Sequence, residues 1–137
     1  MASRHVLQRE LSPAQVGIDE VAGNATTTGS WIESAGYSQA TVHVKYTQSG
    51  GHTPTNVTFN IDVSHDGSTA YPLQAASVSS GVATLSDLQY SKATGGASKN
   101  FLVDLPLNYE SFRIKSLAVG TGASTDTLSV TVRLGVL

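Results

Sequence analysis

Several groups of residues in this chain could in principle do chemistry. The stretch Asp62-Val63-Ser64-His65-Asp66-Gly67 sets side-chain oxygens at alternate positions ahead of a glycine, as in the opening of a loop that wraps a hard cation such as calcium. The carboxylate that closes such a loop falls on Leu73, and no helical pattern flanks the stretch, so it reads as a hairpin turn. The histidines are His5, His43, His52 and His65, and no pair of them stands at a metal-ligand spacing. Hydrolysis by paired carboxylates needs two acids facing each other across a cleft. Glu33, Asp62, Asp87, Asp104 and Asp126 are scattered over expected turns and wet strand faces, where a carboxylate serves solubility. No Gly-x-Ser-x-Gly elbow positions a serine nucleophile. Gly95-Gly96-Ala97-Ser98-Lys99 is rich in glycine but lacks the spacing and the following helix of a phosphate loop. The residues therefore assign no catalytic group, metal ligand or cofactor, and the chain is expected not to be an enzyme.

The bulk properties agree with that reading. The chain has 137 residues, of which 13% are charged, with a formal net charge of −2. A chain of this length fits one domain and buries roughly two-thirds of its unfolded surface. The balance of charge offers no field for nucleic acid or an anionic membrane, and neither is expected as a partner. Cysteine is absent, which excludes disulfides and thiolate chemistry. The opening MASRHVLQREL has no signal-peptide apolar run, and no stretch approaches the ~20 apolar residues of a membrane span. A soluble chain outside the general secretory route is expected. On that expectation the triplets Asn24-Ala25-Thr26 and Asn56-Val57-Thr58 carry no glycan.

The elements that must position these residues are strands. In Ala40 to Thr47, Ala40, Val42, Val44 and Tyr46 alternate with Thr41, His43, Lys45 and Thr47. In Asn56 to Ser64, Val57, Phe59, Ile61 and Val63 alternate with polar residues. A period of two buries one face of a strand and wets the other, so the two stretches are expected to be antiparallel strands of a sheet, joined by the Gly- and Pro-containing loop Gln48 to Thr55. Asp66-Gly67 predicts a tight hairpin into a short strand around Tyr71, placed at an edge by Pro72. Further strands are expected at Val82 to Tyr90, Phe101 to Leu105 and Glu110 to Val119, the last with Phe112 and Ile114 inward. A Gly-rich loop is expected over Ser91 to Asn100. In Thr127 to Leu134, Leu128, Val130, Val132 and Leu134 face in. The expected fold is all-β: a two-sheet antiparallel β-sandwich, jelly-roll or Ig-like, over residues 24–137.

Residues 1–23 show neither a helical stripe nor strict alternation and are expected to be an extended N-terminal arm. Trp31 is expected to plug one end of the core. The competing role for it is a stacking platform for a sugar ring, with Tyr37 and Tyr71.

From Trp31 onward the chain resembles the small β-sandwich proteins that decorate or cement the heads of tailed bacteriophages. The stretches that carry the resemblance are NVTFNIDVSHDGSTAYPL (Asn56 to Leu73), DLPLNYESFRIK (Asp104 to Lys115) and Gly120 to Leu128. A similar Ser-x-Asp-Gly hairpin followed by an aromatic also occurs in galactose-binding-like sandwiches. The resemblance implies a non-enzymatic virion structural protein on the outer surface of the head, a homotrimer held to the major capsid protein. Arg4, Val6, Leu7, Arg9, Leu11, Val16 and Ile18 of the arm would then make capsid or subunit contacts, because an extended segment with spaced apolar residues can lie across a neighbour. Two alternatives stay open: a carbohydrate- or receptor-binding module using Trp31, Tyr37 and Tyr71, and a structural protein of the particle's neck or tail.

Overall fold

The structure, a computed structural model, describes residues 10–136. Its strands are β1 (Glu10–Leu11), β2 (Gln15–Ala22), β3 (Ile32–Glu33), β4 (Gln39–Thr47), β5 (Asn56–Ser64), β6 (Tyr71–Pro72), β7 (Gln74–Ser79), β8 (Val82–Asp87), β9 (Gln89–Ala93), β10 (Lys99–Pro106), β11 (Ser111–Val119) and β12 (Thr127–Val136). In the first sheet β12 and β4 are central, β10 lies beyond β4, and β1 and β2 share the other side of β12. In the second, β5 is flanked on one side by β11 and then β3. On its other side β6 and β9 lie end to end, opposite Asp62-Val63 and Asn56 to Asn60 respectively. All pairs are antiparallel, and the two sheets make the expected sandwich.

The alternating stretches form the core as their period requires. Val42, Val44 and Tyr46 of β4, Val57, Phe59 and Ile61 of β5, and Leu128, Val130, Val132 and Leu134 of β12 are all buried. The expectation that β4 and β5 belong to one sheet is corrected, however. β4 pairs with β12 and β10, whereas β5 pairs with β11, β6 and β9. Alternation says that one face of each strand is buried but not against which layer. The loop over residues 48–55 crosses the roughly 10 Å between facing sheets.

β11 carries a bulge. Phe112 and Ile114 point inward, the register shifts between Lys115 and Ala118, and the inward phase resumes at Leu117 and Val119. Ser116 takes up the extra residue at φ 55°, and Leu117 exchanges backbone hydrogen bonds with Thr27. A bulge of this kind re-aims a strand without ending it.

Four further expectations are revised. The segment expected as an arm is, over residues 15–22, strand β2, hydrogen-bonded to β12 with register shifts on both sides of Val130. Those shifts explain its irregular pattern. The turn after β5 is wider than a two-residue hairpin: Val63 opposes Tyr71, and the residues between wrap around Asp66. Its carboxylate accepts from the Ser64 and Thr69 hydroxyls and the Ser68 and Thr69 amides. The stretch Val82 to Tyr90 is two strands, broken at Leu88, and the glycine loop shrinks to residues 94–98.

The break at Leu88 frees a hairpin. Among the described residues, β7 and β8 pair only with each other, around a turn in which Ser80 and Gly81 both have positive φ, as a type I′ turn requires. The ribbon leaves the sandwich between β6 and β9, and its root is closed by the Leu88 amide donating to the Leu73 carbonyl at 2.9 Å. Because the body does not lean on the ribbon, replacing Gln74–Asp87 by a two-residue Gly-containing turn should leave the sandwich folded. Chemical denaturation is expected to show a stability change of about 1 kcal/mol at most, small beside the roughly 5–15 kcal/mol that holds a domain folded. Loss of the cooperative transition would mean that the ribbon is integral to the body.

Candidate functional site

The loops 48–55, 94–98 and 120–126 meet at one end of the sandwich, where sequence-distant residues converge on Asp126. Its buried carboxylate accepts at Oδ1 from the Ser49 amide (2.9 Å) and hydroxyl (3.0 Å). At Oδ2 it accepts from the Tyr46 hydroxyl (2.6 Å), the Ala123 amide (2.9 Å) and His52 Nε2 (2.7 Å). Two glycines let the loops come this close: a Cβ at Gly120 would collide with Thr55 Oγ1, and one at Gly122 with the Gly23 carbonyl. Burial alone would raise the carboxyl of Asp126, but the Ala123 amide, the Tyr46 hydroxyl, the Ser49 amide and the His52 ring outweigh it and hold the group ionised well below the usual range. The Tyr46 hydroxyl is pushed far up by burial and by this same carboxylate.

His52 Nδ1 faces the Gly50 carbonyl at 3.0 Å while Nε2 faces Asp126. Both partners only accept, so only the doubly protonated ring satisfies both. The Gly50 carbonyl and, against some desolvation, Asp126 raise its pKa accordingly. The Ser49 hydroxyl bonds to the carboxylate and not to the imidazole, so the order nucleophile, base, orienting acid needed for acyl transfer is not formed. The cluster is a clamp that ties the β4–β5 loop to the β11–β12 loop. Sequence reading named both Asp126 and His52 but placed Asp126 with the solubilising acids. Their separation of 74 residues left no local signal.

Asp62 is likewise buried and not a solvated acid. On the outer face of the second sheet it opposes Arg113, whose Nη2 and Nε lie 2.9 and 3.0 Å from Oδ2, with Lys115 Nζ 3.7 Å from Oδ1. The Arg113 guanidinium lies 4.5 Å over the ring of Trp31, which is half-buried against this face instead of plugging the core. Trp31 adjoins β3, and Tyr71 belongs to β6 at the opposite edge, three strand spacings or about 14 Å away. Tyr37 packs partly into the core. The structure does not bring the three aromatics onto one platform. His43, His52 and His65 are also dispersed: on the outer face of β4, in the clamp, and beside Tyr109 in the loop after β5. His5 lies outside the described residues.

Among the described residues, exposed apolar side chains gather in two places, apart from Tyr71 on β6 and Val82 on the other face of the ribbon. On the outer face of the first sheet, Val16, Thr131, His43 and Leu102 make one cross-strand row over β2, β12, β4 and β10, with Val16 63% and Leu102 67% exposed. On the hairpin the cross-strand pairs Ala76–Leu85 and Val78–Ala83 put an apolar face on one side of the ribbon. There Val78 is 72% and Leu85 63% exposed. Of the expected arm contacts, Val16 is thus available, while Ile18 is in the core. Arg4, Val6, Leu7 and Arg9 lie outside the described residues, as does the side chain of Leu11.

The clamp has a definite pH signature. The raised His52 pKa contributes stability that is fully present below the unfolded value of about 6.5 and lost as pH rises through the folded value. The lowered Asp126 pKa contributes stability above about 3.9, lost as pH falls. The stability of the wild-type chain relative to His52→Gln is therefore expected to be largest at mildly acidic pH and to shrink towards alkaline pH; a difference that grows with pH would contradict the imidazolium. Asp126→Ala, which strands buried donors, is expected to cost about 3 kcal/mol or more in denaturant unfolding.

No protein-family model matches the chain, and no curated protein matches it. Among solved structures it is similar to the crystal structure of the SPBc2 prophage-derived protein YomS, with a TM-score of 0.52 and 9% sequence identity over 93% of this chain and 95% of that one. At that identity the likeness is one of fold alone.

Proposed function

We propose that this protein is a non-enzymatic structural component of a tailed-phage particle that decorates the outer surface of the head, binding the major capsid protein as a homotrimer. The observation that carries the reading is the β7–β8 ribbon. An isolated two-stranded hairpin is marginal in water, and this one carries no charge from Ala75 to Ser86 while exposing an apolar face. Uncharged, exposed, paired-strand surface is what natural proteins suppress unless it is a contact. The fold shared with a prophage-derived protein supports a phage origin. The groups that could have done chemistry at the Asp126 end bond to one another, which favours a binding role over a catalytic one.

Attachment of this kind works by repetition. Each contact is weak, and an oligomer that engages several capsid sites multiplies them. The Val16–Leu102 row offers a second, flatter contact on the face of the first sheet, and it keeps one of the residues expected to touch the capsid.

Antibody raised against this chain is expected to label the heads of particles from a lysate of the phage that encodes it, as seen by immunogold microscopy. Heads released without it should rebind the purified chain up to a saturating number of copies. Labelling confined to the neck or tail would move the protein there within the same structural class. Chain absent from purified particles, or binding to cell-surface glycans but not to particles, would overturn the proposal.

A further inference from the structure

We propose that the ribbon of one copy seats its apolar face in an apolar cavity of a second copy, making a head-to-tail contact between identical chains. The cavity, about 190 Å³, opens beside the root of the hairpin between the two sheets, and Ile61, Leu73, Leu88, Tyr90, Leu105 and Phe112 contribute to its lining. It is larger than the ~150 Å³ cavity that accepts a benzene-sized apolar group, and no charged side chain lines it.

The occupant follows from three features of the same chain. The cavity has no charged lining residue, and the ribbon is uncharged from Ala75 to Ser86. Its one charge, Asp87, lies at the root and accepts from the Gln74 side-chain amide at 2.9 Å, so neither surface suits a phosphate backbone, an anionic membrane or a charged peptide. The chain's own ribbon does not fill the space: Gln74 at its root is its one residue in the lining, beside Leu73 and Leu88, and the strands extend for about 20 Å from there with Val78 and Leu85 exposed. The sandwich is also open on this side. Among the described residues β10 pairs only with β4, so along its eight residues the amides and carbonyls of alternate positions point to a free edge, which reaches the cavity at Leu105 and Pro106. The six-residue strands of the ribbon fit that length, and strand addition at a free edge is a recurring mode of recognition. A second copy brings the matching ribbon and needs no other partner.

The contact joins two different patches, so its repetition closes a ring or runs on as an open chain, unlike a symmetric pairing of ribbon with ribbon. This inference concerns self-association and stands whether or not the chain binds a capsid.

The test is sedimentation velocity on the full chain at submillimolar concentration. Wild-type protein is expected as a species larger than a monomer. Val78→Asp combined with Leu85→Asp charges the ribbon at exposed positions, and Leu88→Trp fills the cavity from a half-buried lining position. Each variant, checked for a native circular dichroism spectrum and melting transition, is expected to sediment as a monomer. Mixed in equal amounts they should form a 1:1 dimer, because the intact ribbon of one meets the intact cavity of the other. A monomeric wild type, an oligomer that survives the charged ribbon, or variants that fail to complement would overturn the proposal. If Leu88→Trp does not fold, Leu73→Met and Tyr90→Leu, which reshape the cavity more gently, are expected to weaken self-association at least several-fold; unchanged association would again overturn it.

Discussion

The inner faces of β4 and β12 can be dry only if they meet the inner faces of β5 and β11, and the rest of the molecule is arranged at the margins of that one apolar layer. Tyr46, Phe59, Phe112 and Leu128 are fully buried in it. At one end the layer is closed by polar groups, because loops leaving the strands bring amides and hydroxyls that need partners. One carboxylate, Asp126, collects two amides and two hydroxyls. A buried anion is tolerable there because every lone pair is answered and an imidazolium lies against it. Along one side the layer is closed less completely: β6 and β9 are short, the ribbon departs between them, and an apolar cavity remains.

What could be read in advance, and what could not, follows the same physics. Strands with one buried and one wet face write their period into the sequence, so β4, β5 and β12 were legible residue by residue. β11 was half legible: the inward residues change parity from Phe112 and Ile114 to Leu117 and Val119, a phase slip that marks the bulge at Ser116. The partner of each strand was not legible, since alternation is blind to the layer it packs on, and β4 and β5 consequently went to different sheets. β2 was hidden by its register shifts against β12. Of the ribbon, β8 was legible as part of the strand expected over Val82 to Tyr90, but β7 was hidden for the opposite reason. With nearly every side chain in water, Gln74 to Ser79 carries no strong alternation, only Gln, Ala, Ser and one Val. The clamp joins residues 74 and 80 positions apart, a proximity that only the closed sandwich creates.

On the proposed reading these margins carry the function. The sandwich supplies rigidity, and the clamp ties the loops together at one end. Recognition would then fall to surfaces that the fold does not need for itself: the ribbon, uncharged from Ala75 to Ser86, the cavity at its root, and the Val16–Leu102 row on the first sheet. Removing the ribbon from water through contact with another chain would resolve the one element whose solvent exposure conflicts with its composition. A phage head, with many identical sites, would reward such a contact through repetition instead of individual strength.

Hydrogen–deuterium exchange over residues 75–86 tests this most directly, compared between the dilute free chain and the chain within assembled particles. In the free chain the ribbon amides should exchange fast, as in a hairpin without tertiary support, and in the particle they should become strongly protected while the core strands change little. Equal exchange in the two states, or protection that changes only in the loops around Asp126, would contradict a role for the ribbon as the contact through which this protein acts.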